Sequence, residues 1–501
     1  MNKFFVFFCC FIISSVTSLA QFNKPFFEMT SSLEVAYQDV LHLRLSSAQQ
    51  SVQKELSKNS ENYMSLLIEN TIDFFKIFID ENEAQFNKLS GLKNQRIGML
   101  KNSDVKLPYH LFSQAQIALQ WSLLNGKFKS YLKAFQELRT AYKLLEKNEQ
   151  LFPDFLPNKM QLAVLHTLIG TVPNQYKWGA KMLGFEGSVE GGIAEFEAVI
   201  QKLESGTKEQ HLYRQEAYIM YALLLTHVGN RDEKAMKLLQ KIEISADKSP
   251  LVAYVLTHFY MHSNQSEMAL KILSKTPRGD GFYPFYYLDY LTGLCKLYAL
   301  DLNSAPYFKT YLQKYSGQHY KKDCNQKLAW LALLKGDNAK YLEYKKMALT
   351  TGSALMEADQ QALNWAKLPD VENMLLLKAR LLFDGGFYAK SIASLKELRA
   401  EGFKTQDQQL EFSYRLGRAL HKLADYPEAI KNYEQAILLG HDKKIYFACN
   451  SALQIATIYE TQKKYPQAQQ YYQKCLELKP SEYQTSLHQK AKAGLSRIEK
   501  K

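Results

Sequence analysis

The strongest constraint on the fold of this chain is a helical motif that is written twice. "YPEAIKNYEQAILL" begins at Tyr426 and "YPQAQQYYQKCLEL" begins at Tyr465, so the period is 39 residues. Both copies open with Tyr-Pro and carry alanine at the fourth position and tyrosine at the eighth. Self-similarity at a fixed period is typical of folds in which each unit packs on its neighbours. The motif therefore predicts an array of similar helical units.

Five positions in each unit hold related classes of residue. In the unit with the first copy they are Gly417, Leu420, Ala429, Tyr433 and Ala436. In the next unit they are Ala456, Tyr459, Ala468, Tyr472 and Cys475. In the preceding unit they are Ala379, Leu382, Ser391, Leu395 and Leu398. Small residues recur where two helices must touch, and large ones recur where a side chain wedges into the neighbouring helix. The pattern predicts helical hairpins that pack through this seam of small and large residues.

The seam resembles that of the tetratricopeptide repeat, in which a small residue of helix A and a small residue of helix B are each followed by a large one. Pro480 matches the closing proline of the family. The resemblance covers residues 372–480, and we assign residues 351–482 to such repeats. It implies an all-α, right-handed α-solenoid in which the helix A faces line a concave groove that binds a protein or peptide partner.

Upstream of these repeats the seam residues are recognisable at only some positions, but apolar residues still recur at helical spacing. Apolar residues at i, i+3, i+4 and i+7 predict amphipathic helices. They mark paired helices at about 111–148, 159–204, 211–244, 250–276, 284–316 and 322–349. We assign residues 108–350 to degenerate hairpins of the same type. With the repeats that follow, they predict a solenoid of about nine or ten hairpins.

The two ends of the folded region predict capping helices. Residues 31–89 predict two long helices in an N-terminal helical cap spanning residues 21–107, with a polar connection at residues 90–107. Residues 483–501 predict a polar C-terminal helix. Terminal units with a polar outer face are required to shield the last apolar surface of a solenoid.

The first twenty residues are typical of a signal peptide. A short basic start at Lys3 precedes the apolar run "FFVFFCCFII", and "SLA" ends at Ala20. The alternative is an uncleaved anchor, although the run is short for a membrane span. We predict an exported protein, periplasmic or extracellular, with no transmembrane segment in the mature chain.

The chain is basic. The formal net charge is +13 at pH 7, and removal of residues 1–20 lowers it by one because Lys3 is lost. A basic surface attracts acidic proteins, phosphate-bearing polymers or anionic membrane faces. Because the lysines are scattered, a solubilising coat is the favoured interpretation of this charge, and an anionic partner is the alternative. The sequence contains no run in which basic and aromatic residues alternate, so we predict no nucleic-acid groove.

The sequence offers no constellation of catalytic residues, and we predict neither an enzyme nor a cofactor. His258 and His262 share a helix face, but no carboxylate completes a metal site, so we predict no bound metal. The mature chain would keep four cysteines, Cys295, Cys324, Cys449 and Cys475. Because they lie in apolar helical faces, buried thiols are favoured and a disulfide is the alternative.

A second and shorter resemblance lies at residues 182–200. "LGF" at residues 183–185, followed by a small or polar link and a glycine that opens a helix, is similar to the inclusion-body clearance family of tetratricopeptide proteins. It covers fewer than twenty residues and implies no functional residue.

Mapping the concave face of helix A onto this sequence gives a cluster of cations. Arg380 and Arg418 come directly after the small seam residue, Arg415 lies nearby, and His421 and Lys422 lie one turn beyond it. In the last repeat the corresponding positions hold Thr457, Glu460 and Thr461. Guanidinium groups bind carboxylates through paired, charge-assisted hydrogen bonds. The alternative is that these residues form solvated or intrahelical ion pairs.

Together these features predict a non-enzymatic scaffold that binds a protein or peptide partner in its concave groove, with an acidic partner favoured. The alternative function is a binding module for an anionic envelope ligand, such as a polysaccharide or a lipid headgroup.

We expect the exported protein to begin at or near Gln21, because cleavage after "SLA" removes the apolar run. N-terminal sequencing of the exported protein checks this prediction. An exported chain that still begins at Met1 would contradict it.

Overall fold

The computed structural model describes most of the chain. The described residues are 25–172, 178–179, 181–207, 212–228, 233–369, 371–398 and 402–499. The predicted signal peptide, residues 1–20, lies outside them.

The described part of the chain is built from 24 α-helices, which confirms the all-α prediction. The first twelve are α1 Ser31–Leu41, α2 Leu45–Leu56, α3 Met64–Asp80, α4 Glu83–Leu100, α5 Tyr109–Lys127, α6 Tyr131–Leu151, α7 Leu156–Gly170, α8 Val189–Ser205, α9 Arg214–Val228, α10 Glu233–Leu239, α11 Pro250–His262 and α12 Ser266–Leu273. The others are α13 Tyr287–Tyr298, α14 Ala305–Lys314, α15 Lys321–Leu334, α16 Asn338–Thr350, α17 Glu357–Lys367, α18 Met374–Asp384, α19 Tyr388–Lys396, α20 Gln406–Lys422, α21 Tyr426–Gly440, α22 Phe447–Thr461, α23 Tyr465–Glu477 and α24 Gln484–Ile498.

Most of these helices pack on the next helix in the chain. The pairs are α1–α2, α5–α6, α7–α8, α9–α10, α11–α12, α13–α14, α15–α16, α18–α19, α20–α21 and α22–α23. Helix α17 packs on α15 and α16, and α24 packs on α22 and α23. The paired helices predicted from the apolar rhythm are therefore present. None of the described helices combines the length and the apolar character needed to cross a membrane.

The expectation of two long helices in residues 31–89 was wrong, because this region holds four. Leu43 and Glu81 adopt left-handed backbone conformations that end α1 and α3. The side chain of Asn82 then accepts a hydrogen bond from the backbone of Gln85 and starts α4. The predicted polar connection begins inside α4, which runs on to Leu100. Its sequence is polar because only Arg96 and Leu100 are buried in this helix.

The repeated motif forms helices α21 and α23, and the seam residues of both copies are buried. Asp425 caps α21 by accepting a hydrogen bond from the backbone of Glu428. The ring of Tyr433 is 1% exposed and lies against Gly417, where an added Cβ would come within 2.9 Å of the ring. Full burial of a large apolar side chain contributes about 1.5–3 kcal/mol. A side chain at position 417 would separate α20 from α21.

The N-terminal helices pack against the middle of the chain as well as against adjacent helices. The backbone carbonyl of Leu43 accepts a 2.7 Å hydrogen bond from the backbone of Tyr283. The carbonyl of Leu41 accepts a 2.8 Å bond from the hydroxyl of Ser249. The Tyr283 hydroxyl in turn donates to the carboxylate of Asp80 at 2.5 Å. In an open array each unit contacts only its neighbours, so these bonds bring distant units together.

Glu81 is the centre of a buried ionic contact between three segments. Its carboxylate lies 2.7 Å from Nδ1 of His319 and 2.8 Å from Nζ of Lys127. Burial by itself raises the pKa of Glu81, but the hydrogen bond from His319 and the charge of Lys127 together lower it to about 2. Removal of one partner from a buried pair costs on the order of 3–5 kcal/mol, because the remaining charge is left uncompensated. The contact therefore holds the end of α3 against the turn before α15.

A second contact joins the turn between α11 and α12 to the turn between α18 and α19. The Ser266 hydroxyl donates to the carbonyl of Gly385 at 2.8 Å, and the Asn264 amide donates to the carbonyl of Asp384 at 3.1 Å. Helices α13 and α15 also contact α18. The array therefore curls back on itself between these turns. We call the bonds from Asn264 and Ser266 to residues 384–385 the turn-to-turn contact.

We expect Gly386→Ala to destabilise the protein more than Gly336→Ala. Both glycines lie in the turn between two paired helices at positive φ, +87° for Gly386 and +76° for Gly336. Alanine is disfavoured in this left-handed conformation, so both variants lose stability for that reason. At Gly386 the new Cβ would also lie 1.8 Å from the carbonyl oxygen of Asn264, whereas at Gly336 no atom lies within 4 Å. Overpacking of this kind costs about 1–3 kcal/mol. Urea unfolding measures the difference, and equal destabilisation by the two variants would contradict the turn-to-turn contact.

Candidate functional site

A cavity of about 600 Å³ opens next to the turn-to-turn contact. Helices α20, α21, α22 and α24 supply most of its walls. Asn264 and Phe383 complete it from the two turns that the contact joins. The cavity therefore depends on the curl of the array, because Asn264 precedes α20 by more than 140 residues.

The lining of this cavity is basic. Arg418, Lys422 and Lys490 contribute cations, and His421 lies beside them. The lining residues include no aspartate or glutamate among the described part of the chain. A concave surface lined by one sign of charge focuses the field and attracts ligands of the opposite sign. The cavity thus favours an anionic group.

Arg418 is the most constrained of these cations. Its guanidinium group lies 3.9 Å from the ring centroid of Phe383 and 5.6 Å from that of Tyr414. Such cation–π contacts contribute about 0.5–2 kcal/mol, depending on how far they are desolvated. Within the described residues, its nitrogens form no hydrogen bond or ion pair. Burial by itself lowers the pKa of Arg418, but the charges of Tyr414 and Asp384 outweigh burial and raise it. Arg418 therefore presents a positioned, charged group to the cavity.

His421 lies one turn after Gly417 on α20 and points at the seam. Its Nδ1 is 3.4 Å from the hydroxyl of Tyr433, and its ring contacts Tyr426 edge-on. Burial lowers the pKa of His421, and the neighbouring charge of Lys422 lowers it further. The imidazole is therefore neutral at pH 7, and the permanent charge of the cavity comes from Arg418 and the lysines.

The other two predicted cations do not join this cluster. Arg415 is 8% exposed, and its Nε donates to Glu411 on the same helix at 2.6 Å. Arg380 lies 3.8 Å from Asp384, also one turn away on its own helix, and 4.9 Å from the ring centroid of Trp330. Of the five predicted site residues, Arg418, His421 and Lys422 line the cavity, whereas Arg380 and Arg415 form the intrahelical pairs that were the alternative.

Several lining residues were missed by sequence reasoning. Asn450 and Gln454 lie one turn apart on α22 and extend the same wall as Thr457, which was predicted to face the groove. Their spacing is a signal that could have found them, because residues at i, i+4 and i+7 share a helix face. Asn264 and Lys490 had no such signal, since the fold alone brings them to the cavity.

The amide groups on this wall are held by their own hydrogen bonds. Asn450 donates to the hydroxyl of Tyr414 at 2.7 Å, and its carbonyl accepts a 3.1 Å bond from the amide of Gln454. Thr457 donates to the backbone carbonyl of Leu453. The wall therefore presents fixed polar groups beside the cations.

His258 and His262 remain adjacent, with ring centroids 5.8 Å apart. Among the described residues, no group of three or more His, Cys, Asp or Glu side chains is placed to hold a metal ion.

Comparison with known proteins supports the repeat assignment near the C-terminus. The tetratricopeptide repeat model matches residues 408–481. This match includes most of α20 and all of α21, α22 and α23, so these helices form tetratricopeptide repeats. A crystal structure titled as the APC/C hetero-tetramer Cut9-Hcn1 is 13% identical and covers 93% of this chain and 95% of that chain, with a TM-score of 0.23. No curated protein matches this chain significantly.

We expect the pKa of His421 to lie below its usual value of about 6.5 and to rise in the variant Lys422→Gln. The reason is that Lys422 contributes part of the depression through its charge, while burial remains. Titration of the histidine ring signals by NMR measures both values. Lys431→Gln is the matched control, because Lys431 is exposed and lies outside the cavity lining. A pKa that responds equally to both changes would contradict this electrostatic account.

Proposed function

We propose that this chain is a non-enzymatic interaction scaffold that binds an acidic protein or peptide partner in the basic cavity. The observation that carries the proposal is Arg418, a guanidinium group stacked on Phe383 in a cavity whose lining contains no carboxylate. A partner's carboxylate would pair directly with this guanidinium group, on which Asp384 acts only through its charge.

The cations of the cavity contribute to such binding in different ways. Arg418 is half-buried, so a carboxylate paired with it would be shielded from water. Charge-assisted hydrogen bonds contribute about 1.5–3 kcal/mol each. Lys422 and Lys490 are exposed, and exposed ion pairs contribute only about 0.2–1 kcal/mol. Arg418 would therefore supply most of the affinity, while the two lysines would steer the partner towards it.

The tetratricopeptide repeats support a protein or peptide as the partner. The helix A faces of α20 and α22 line the cavity, and repeat arrays use such concave surfaces for binding. The fixed amides of Asn450 and Gln454 lie along the same wall and would bond to a peptide backbone. The lining offers His421 no carboxylate or thiol with which to form an acid–base or nucleophilic pair, which favours binding over catalysis.

The size of the cavity favours a second candidate as well. A volume of about 600 Å³ falls within the range of about 300–1,000 Å³ that is typical of small-molecule sites. An anionic envelope ligand, such as an acidic sugar unit or a lipid headgroup, would fit this volume and this charge. The two candidates differ in whether the ligand extends beyond the cavity along α22.

The place of action that we propose follows from residues 1–20. Their basic start, apolar run and small-residue ending support export to a periplasm or to the outside of the cell. The partner would then be an acidic protein or an anionic component of that compartment.

We expect the triple variant Arg418→Gln, Lys422→Gln and Lys490→Gln to weaken binding of an acidic ligand by about tenfold or more, which corresponds to about 1.4 kcal/mol. The probe is a fluorescently labelled glutamate-rich peptide, with a lysine-rich peptide of equal length as the specificity control. Fluorescence anisotropy measures the Kd, and the melting temperature shows whether the variant is folded.

The matched control changes Lys431, Lys463 and Lys492 to glutamine. These exposed residues lie in the same part of the chain but outside the cavity lining, so the net charge falls equally. A similar loss in both variants would mean that binding follows overall charge and not this cavity. Vesicles with anionic headgroups and an acidic polysaccharide, run in the same assay, test the second candidate. Recovery of a stoichiometric protein partner from the native envelope would favour the scaffold.

A further inference from the structure

Two cysteines face each other inside the last helical hairpin. Cys449 lies on α22 and Cys475 lies on α23, and their Sγ atoms are 3.6 Å apart. Both side chains are buried, at 1% and 0% exposure. The structure holds them as free thiols. The contact between the two sulfur atoms sets this pair apart, because neither Cys295 nor Cys324 has a recorded sulfur–sulfur contact among the described residues.

The positions of these thiols in the repeat explain why they meet. One period earlier, the corresponding positions are occupied by Leu410 and Ala436, which are both fully buried. A large and a small hydrocarbon side chain there fill the space between two helices. In the last repeat two thiols fill the same space, so both Sγ atoms lie in the seam.

We propose that Cys449 and Cys475 form a modification site, at which a disulfide-bearing thiol oxidant links α22 to α23 through an intramolecular disulfide. A disulfide bond is about 2.05 Å long, so the two sulfur atoms must approach each other by only about 1.5 Å from their present contact. Small rotations about the Cα–Cβ bonds provide this movement while the helices stay in place.

The exchange conserves atoms and electrons. The Cys449 thiol loses its proton, and the thiolate attacks one sulfur of the oxidant, which releases the oxidant's first thiolate and leaves a mixed disulfide. The Cys475 thiolate then attacks Sγ of Cys449 and displaces the oxidant's second thiolate. The cysteine pair loses two electrons and two protons, and the oxidant is reduced to two thiols.

The environment of the pair assigns the order of these steps. A hydrogen bond from Cys475 lowers the pKa of Cys449, whereas the same contact and burial raise the pKa of Cys475. The thiolate is the nucleophile in disulfide exchange. Cys449 therefore attacks first, and Cys475 resolves the mixed disulfide.

Helix α24 controls access to this site. Its residue Leu487 is buried, and the carbonyl oxygen of Leu487 lies 4.0 Å from Sγ of Cys475. Helix α24 packs on α22 and α23, and an element held by few packing contacts opens locally at a lower free energy than the core of a fold. The oxidant therefore reaches the thiols either before α24 docks during folding or when α24 opens.

The disulfide would fix one wall of the cavity. The two cysteines are 26 residues apart in sequence, so the bond closes the whole α22–α23 hairpin. Helix α22 also carries Asn450, Gln454 and Thr457. The chemistry is independent of what the cavity binds.

The test uses the full chain, purified under reducing conditions and then equilibrated with oxidised glutathione. One sample is treated in its native state and a second is refolded in the same buffer. Free thiols are alkylated after denaturation, and peptide mapping by mass spectrometry reads each cysteine separately. We expect Cys449 and Cys475 to be recovered in most molecules as one cross-linked peptide pair, with Cys295 and Cys324 alkylated. We also expect the melting temperature to be higher than that of the reduced protein.

Two double variants serve as matched controls. The rise in melting temperature on oxidation should be absent in Cys449→Ser with Cys475→Ser, and it should persist in Cys295→Ser with Cys324→Ser. Alkylation of Cys449 and Cys475 in both wild-type samples would overturn the proposal. So would a stable glutathione adduct on Cys449, or a cross-link to Cys295 or Cys324. Because the mapping is made on the wild-type chain, the outcome does not depend on the folding of a variant.

Discussion

The turn-to-turn contact is the constraint on which the candidate site depends. The side chains of Ser266 and Asn264 donate hydrogen bonds to the backbone carbonyls at the end of α18. These bonds hold the array in a bend that places Asn264 in the cavity wall. Each hydrogen bond contributes only about 0.5–1.5 kcal/mol net. The two backbones also fit closely at Gly386, because a Cβ at this position would clash with the carbonyl oxygen of Asn264. Without the bend, Arg418 and Lys422 would line an open surface.

Within each hairpin the fold rests on a different interaction, the packing of a tyrosine against a small residue. Tyr433 and Tyr472 are almost completely buried at equivalent positions of two repeats. Their hydroxyl groups reach towards His421 and Glu460, which also lie on the preceding helix of each hairpin. Each tyrosine therefore supplies apolar burial and a polar link at once. Tyr433 also lines the cavity beside His421, so the seam and the cavity share residues.

The sequence was informative wherever structure follows from neighbours along the chain. Helix pairing, the seam, and the positions of Arg418, His421 and Lys422 all follow from a local period. Arg415 does not line the cavity, because the helix also places Glu411 one turn away and the two side chains pair. Asn264 and Lys490 were not predictable, since no local pattern encodes which distant units a curved array brings together. The same holds for Glu81, whose partners His319 and Lys127 come from two other segments.

The contact between residues 264–266 and 384–385 also bears on how such a chain could change in length. An open repeat array gains or loses hairpins easily, because every unit contacts only the next one. Here the hairpins between the two turns must together span a fixed distance and rotation. Duplication or deletion of one hairpin in that interval would carry Gly385 away from Ser266 and open the cavity. The number of units between these turns is therefore set by geometry. The contacts of Leu41, Leu43 and Glu81 with Ser249, Tyr283 and His319 set the same restriction on the units between the N-terminal helices and the middle of the chain.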